Sequence, residues 1–307
     1  MIFKITPNDS INKTLKQCKK NDIILLSNGI YQEKVLINIE GITLKGESKN
    51  DVIIKNKDHF YKIMEDFNEC NTFRTYTVAV TEKNVKILNL TIENESVPSS
   101  KYGQAVALHA DGDNFLCEDV ILKGAQDTLF TGPLPPDLII RHQGFLKEDF
   151  LHGTQTHQIY NKCDIYGDVD FIFGSATALF NECNIISIPN NSTNVGFVSA
   201  PSHSKDTLFG YLFYKCNLIN QTGKEGNIYL SRPWRDYGTA AFIKCNIGSH
   251  ISPKGFSNWN KTERYKTARY YEYSEDIDLS NRIEWAHILN KDEAEKYYSE
   301  FMEELKK

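Results

Sequence analysis

Phe180-Asn181-Glu182-Cys183-Asn184-Ile185 returns in outline as Phe213-Tyr214-Lys215-Cys216-Asn217-Leu218 and as Phe242-Ile243-Lys244-Cys245-Asn246-Ile247. The shared unit is an apolar residue, two spacers, Cys or another apolar residue, one spacer, and a closing apolar residue. It is also found upstream as Ile87-x-x-Leu90-x-Ile92, Cys117-x-x-Val120-x-Leu122 and Tyr160-x-x-Cys163-x-Ile165. Its middle positions, from Leu90 through Val120, Cys163, Cys183 and Cys216 to Cys245, step by 30, 43, 20, 33 and 29 residues. A fixed core unit at uneven intervals is expected of a solenoid whose coils carry loops of different length.

The coils read as strands. Residues 38–46, 85–92 and 195–200 are rich in β-branched side chains, alternate or run apolar, and are bounded by Gly, Asn and Pro. A stack of such turns is an all-β parallel β-helix, with inward residues of successive coils piled into ladders. Five of the seven cysteines fall on or near the repeat. We read them as small buried hydrophobes, because no metal-ligand spacing accompanies them. Asp9-Ser10 ahead of Ile11, Leu15 and Cys18 predicts a short amphipathic helix. Ala294, Tyr297, Tyr298, Phe301, Met302 and Leu305 form one apolar stripe of a second helix. Both are expected to cap the solenoid's open ends.

Length and composition allow one large unit. The chain has 307 residues, 40% hydrophobic and 24% charged, and elongated β architectures often exceed the usual domain length. A net charge of −5 leaves no basic footprint for nucleic acid. No apolar run is long enough for a membrane span or an N-terminal signal segment. With the odd cysteine count, this predicts reduced thiols and a cytoplasmic location, or a secreted one if the N-terminus is processed.

Three segments far apart in sequence carry the chemistry: Gln126-Asp127-Thr128, Asp170-Phe171-Ile172-Phe173-Gly174 and Arg232-Pro233-Trp234. Together they supply two carboxylates, an amide donor, a guanidinium and an indole. That inventory suits acid/base and nucleophilic chemistry on a sugar-like substrate once the fold gathers them. None of the eight histidines pairs with a Ser or Cys nucleophile at these motifs, which argues against a triad hydrolase. Taken singly, Asp127 suits a turn, Trp234 a packed core and Gln104 a buried backbone partner. Taken jointly they favour a site.

In their order these segments resemble the pectin methylesterases, carbohydrate esterases of right-handed, single-stranded parallel β-helix fold. The resemblance runs over nearly the whole chain. It begins at Gly29-Ile30-Tyr31-Gln32-Glu33 and Gln104-Ala105-Val106-Ala107-Leu108, and ends at Leu230-Ser231-Arg232-Pro233-Trp234. It implies Asp170 as nucleophile, Asp127 as acid and then base, and Gln104 and Gln126 as the oxyanion hole. Arg232 would orient Asp170, and Trp234 would hold the sugar with Phe171 or Phe173. The implied substrate is methyl-esterified homogalacturonan or its oligosaccharides, acted on by a monomer without metal or other cofactor. Tyr31 and Glu33 are expected to stabilise an early coil.

Residues 1–307 are thus expected to form one domain, with an inserted loop at about 131–156. This Pro-rich stretch carries Arg141, His142, Phe145, Lys147 and His152 between the two aspartates. It is expected to narrow one end of the cleft and favour short oligogalacturonides. Asp168, two residues before Asp170, is expected to point away into solvent. Ser231 stands where the family pattern suggests Gly, and His109 where it suggests Arg. The rival readings are a pectate lyase, which wants a calcium-binding carboxylate cluster, and a polygalacturonase, which wants a carboxylate pair for glycoside cleavage. A further rival is an esterase or thioesterase of drifted substrate. Neither glycan-cleaving rival needs the paired glutamines.

Overall fold

The repeated sequence unit is a corner between two strands. In the computed structural model, which describes residues 1–190, 193–260 and 262–307, strand Thr177–Asn181 turns there into strand Asn184–Ser187. The residue before each middle position has positive φ: Asn89 (55°), Asp119 (52°), Lys162 (54°), Glu182 (52°), Lys215 (53°) and Lys244 (57°). Such a conformation costs a non-glycine residue roughly 1–2 kcal/mol. Each corner amide is nevertheless paired with the next coil, as Glu182 N donates to Tyr214 O at 3.0 Å and Lys215 N to Ile243 O at 3.1 Å. One residue turns the chain without stranding its N–H.

Repetition of the corner builds three parallel sheets of 11, 8 and 7 strands, stacked as a right-handed parallel β-helix. Inside, Tyr160, Phe180, Phe213 and Phe242 stack with successive centroids 4.8, 4.6 and 4.4 Å apart, close to the strand spacing of about 4.8 Å. The Cys183, Cys216 and Cys245 thiols lie beside them, reaching the carbonyls of Tyr160, Phe180 and Phe213 at 3.3, 3.2 and 3.3 Å. All seven cysteines are free thiols and six are buried. The five on the repeat, Cys117, Cys163, Cys183, Cys216 and Cys245, lie in the main core, as the repeat implied.

At the N-terminal end the helix Ile11–Leu15 lies over the core, burying Ile11 and Leu15. Glu33 caps it, accepting from Ser10 Oγ at 2.6 Å, Ile11 N at 2.8 Å and Asn12 N at 3.1 Å. The Tyr31 hydroxyl donates to Ser27 O at 2.9 Å, with Ile5 O also within reach at 3.1 Å. Both residues serve the first coil, as expected.

The second helix, Lys291–Glu304, is not a cap. Its stripe packs on the outer face of the 11-stranded sheet, against Leu179, Leu212, Ala241 and Tyr273. Those strands are apolar on both faces, so the outer one needs a cover. Phe256, Tyr270 and Trp285 pack together at that end of the core instead.

Candidate active site

The seven-stranded sheet holds Leu108–Ala110, Leu129–Thr131, Val169–Gly174, Gly196–Pro201 and Ile228–Ser231 as neighbours in that order. Just before the first two strands, Ala105 N donates to Gln126 O at 3.1 Å and Asp127 N to Val169 O at 3.2 Å. Gln104, the Gln126-Asp127 pair and Asp170 therefore stand on three successive coils. Ordinary coil spacing brings together groups that lie 66 residues apart in sequence.

Asp170 faces outward because the strand is broken by a bulge. Val169 pairs with Phe197 and Ile172 with Ser199, so the segment holds one more residue than its partner. Asp170 takes φ 49° and turns its carboxyl to the cleft. The same bulge sends Phe171 inward, where it is fully buried in the main core. Gly167 leaves room beneath it, since a Cβ there would lie 2.1 Å from Phe171 Cβ. The expected sugar contact by Phe171 is thus corrected: only Phe173 reaches the cleft, with Trp234 at 5.6 Å edge-on.

Arg232 follows the strand two coils beyond and reaches back. Its Nε and Nη2 donate to the two Asp170 carboxylate oxygens at 2.8 and 2.6 Å. The guanidinium is clamped between Phe197 and Trp259, 3.8 and 4.1 Å from their ring centres. Sequence reasoning missed both clamps. Phe197 sits at an outward position of an otherwise buried strand, and Trp259 is a lone indole in a polar stretch, which is the only signal either gave.

Burial sets the charge states. Asp127 is 8% exposed and Asp170 5%. Desolvation raises Asp127 well above the usual carboxylate range, and the Asp170 charge adds to the rise. Desolvation also raises Asp170, but the Arg232 guanidinium opposes it. Both carboxyls end above the ordinary range, but only Asp170 has a bound cation that favours its charged form, which sets the two apart. Asp168 departs from expectation. It is buried, not solvated, and binds Ser99 Oγ and its neighbour Val169 N. Burial raises it to about 6, against the pull of these donors.

These groups line a cleft of about 340 Å³ that holds Gln104, Gln126, Asp127, Asp170, Phe173, Arg232, Trp234 and Trp259. All the proposed site residues except Phe171 meet there. Phe60, Asn71, Thr72 and Phe73 form one wall, which sequence reasoning did not foresee. Leu138, Arg141 and His142 come from residues 131–156.

That segment is no floppy loop. It forms the helix Pro136–Arg141 and a single turn at Glu148–Phe150. Leu134, Leu138, Leu146 and Phe150 are buried against Phe73, Tyr76, Phe130 and Phe173. His109 is buried under it, between Phe130 and Phe150. The segment is tied to both sides of the cleft. Arg235 donates to Asp137 at 3.2 and 2.8 Å, while Arg74 covers the Phe145 ring at 3.8 Å. It is a strap. Ser231 is also structural, pairing with Ser199 Oγ at 2.9 Å inside the sheet.

The pectinesterase family model matches residues 4–133 and 139–304 of this chain, breaking only at the start of the strap. Probable pectinesterase 8 of Arabidopsis thaliana is 28% identical over 284 residues, covering 89% of this chain and 65% of that protein. For pectinesterase 2 of Citrus sinensis the identity is 27%, over 87% of this chain and 48% of that protein. The chain therefore spans about half to two-thirds of the length of these relatives. A pectin methylesterase solved in complex with a hexasaccharide superposes with TM-score 0.76 at 25% identity, covering 94% of this chain and 91% of the other. The carrot pectin methylesterase has the same fold, with TM-score 0.78 at 21% identity over 94% and 88% of the two chains.

Proposed function

The chain belongs to the pectinesterase family, and on that premise we propose that it removes methyl esters from galacturonosyl units of pectin or pectic oligosaccharides. The observation that carries the reading is the Arg232-bound Asp170 beside a raised Asp127 in one cleft. Asp170 attacks the C6 ester carbonyl, forming a C–O bond and a tetrahedral oxyanion. The Gln104 and Gln126 amides donate to that oxyanion, an effect worth about 3–4 kcal/mol per donor. Asp127 gives its proton to the departing methoxide, and methanol leaves an acyl anhydride on Asp170. Asp127, now a base, takes a proton from water, which attacks the anhydride and restores the Asp170 carboxylate. Arg232 holds the nucleophile's rotamer and charge throughout. Trp234 and Phe173 give the sugar ring an apolar face.

The decisive experiment is methanol release from methyl-esterified oligogalacturonides, followed beside reducing ends and unsaturated products. Methanol alone is the expected result. New reducing ends would mark a galacturonase and unsaturated ends a lyase, and either outcome would replace the esterase reading.

A further inference from the structure

Arg232 fixes the Asp170 carboxyl directly, but among the described residues no protein group bonds the Gln104 side-chain amide. The place of that amide in the cleft is therefore set by its backbone. On one side Phe60 N donates to Gln104 O at 3.0 Å. On the other, Gln104 follows the helical turn Ser99–Tyr102, which Gly103 N closes by donating to Ser99 O at 2.8 Å. Ser99 is where this turn meets the nucleophile's strand. Its hydroxyl donates to Asp168 Oδ2, and Asp168 Oδ1 accepts from Val169 N at 2.7 Å. The same two residues hold the coil before them, since Asp168 N donates to Ala125 O at 3.1 Å and Val169 O accepts from Asp127 N at 3.2 Å. One carboxyl, 1% exposed, thus lies where the segments of Gln104, Asp127 and Asp170 meet. The charged groups that bear on it, Asp170 on its own strand and Asp127 on the neighbouring coil, are acidic. Among the described residues no cation pairs with it. A buried carboxylate without a cation is costly, and here only its hydrogen-bond donors offset the cost.

We propose that Asp168 is a positioning residue, whose carboxylate fastens the turn ahead of Gln104 to the strand of Asp170 and so sets the spacing between oxyanion donor and nucleophile. This deepens the esterase reading and rests on it. Bonds to an ionised acceptor are roughly twice as strong as neutral ones, which suits a tie that must hold a turn still. An oxyanion donor works only within about 2.7–3.1 Å of the developing charge. A slack turn therefore weakens the transition state, while the ground state, which carries no oxyanion, is left alone. Burial raises Asp168 to about 6, so acid exchanges the charged bonds for weaker neutral ones.

The test uses the whole chain. Ser99→Ala cuts the tie, and Ser99 does not line the cleft. On a methylated trimer kcat for methanol release should fall about tenfold, the worth of one charge-assisted hydrogen bond, with KM unchanged. Ser99→Thr keeps the hydroxyl and should recover most of the loss. Hydrogen exchange reads the tie without turnover, and the Gly103 amide should exchange about tenfold faster in Ser99→Ala than in wild type. In wild type its protection, corrected for the intrinsic rate, should fall as pH drops through about 6. Asp168→Asn cannot ionise there, so its protection should stay level across that range. Wild-type kcat together with wild-type Gly103 exchange in Ser99→Ala would overturn the inference. If wild type releases no methanol, the esterase reading alone fails, and the exchange comparison still decides whether Asp168 fastens the turn.

Discussion

Asp127 and Asp170 share a backbone oddity, with φ of 63° and 49°, and share burial, yet only Asp170 touches a cation. That difference divides the labour of two identical side chains. Replacing Asp170 with Asn should cut methanol release at least about 10³-fold while circular dichroism and melting stay near wild type; substantial residual turnover would move the nucleophile elsewhere. Activity needs Asp170 ionised and Asp127 protonated, so kcat/KM should fall at low pH through Asp170 and at high pH through Asp127. Arg232→Lys loosens the bidentate hold and leaves burial less opposed. The acidic limb should then move to higher pH, and a limb that stays or moves down would contradict the assigned role. Stability follows the opposite logic. An unfolded Asp titrates near 3.9, and burial holds folded Asp127 well above that, so the folded state holds the extra proton. Stability contributed below that range is lost as pH rises through the folded pKa, by up to about 1.4 kcal/mol per pH unit. Asp127→Asn cannot ionise and should gain on wild type in melting temperature from pH 4 upward; parallel curves would refute this. The aspartates, Arg232, the glutamines and Trp234 were legible in the sequence because each motif is local. Phe171 was misread because period-two alternation fails at a bulge, which no local pattern announces.

The strap shows what element-scale reading misses. Leu134, Leu138, Leu146 and Phe150 lie in different local structures, and they pack on residues of other coils, from Phe73 to Phe173. The strand units were legible for the opposite reason, because each corner repeats the same inward positions around one left-handed residue of varying type. With Asp137 tied to Arg235 and Phe145 to Arg74, the strap bridges the sides of the cleft. It should therefore limit how a long polymer threads past Asp170. Asp137→Ala frees one tie, and replacing residues 134–153 by a short Gly-Ser turn frees both. We expect the ratio of methanol release from intact pectin to release from methylated trimers to rise severalfold, more in the shortened chain. An unchanged ratio in both variants would show that the strap does not select for length.

At the scale of the whole molecule, a solenoid's stability is close to a sum over neighbouring coils, and here the sum runs through one aromatic column. The column was readable from spacing alone, whereas the placement of the helix Lys291–Glu304 was not, because its stripe fits a sheet face as well as an open end. The two features should fail differently. Phe213 is stacked on Phe180 at 4.6 Å and on Phe242 at 4.4 Å, so its removal strips contacts from both neighbouring coils at once. Phe213→Ala should cost about 3–5 kcal/mol, a large share of the roughly 5–15 kcal/mol that holds a domain folded. Urea unfolding should show a lower midpoint, and methanol release should collapse at the same urea concentration as the β signal. Phe301 is as fully buried but packs between the helix and the outer sheet face. Phe301→Ala should release the helix first, giving an early loss of helical signal while methanol release persists to higher urea. If both variants instead unfold in one coincident step, helix and coils form a single cooperative unit, and the column has no privileged place in it.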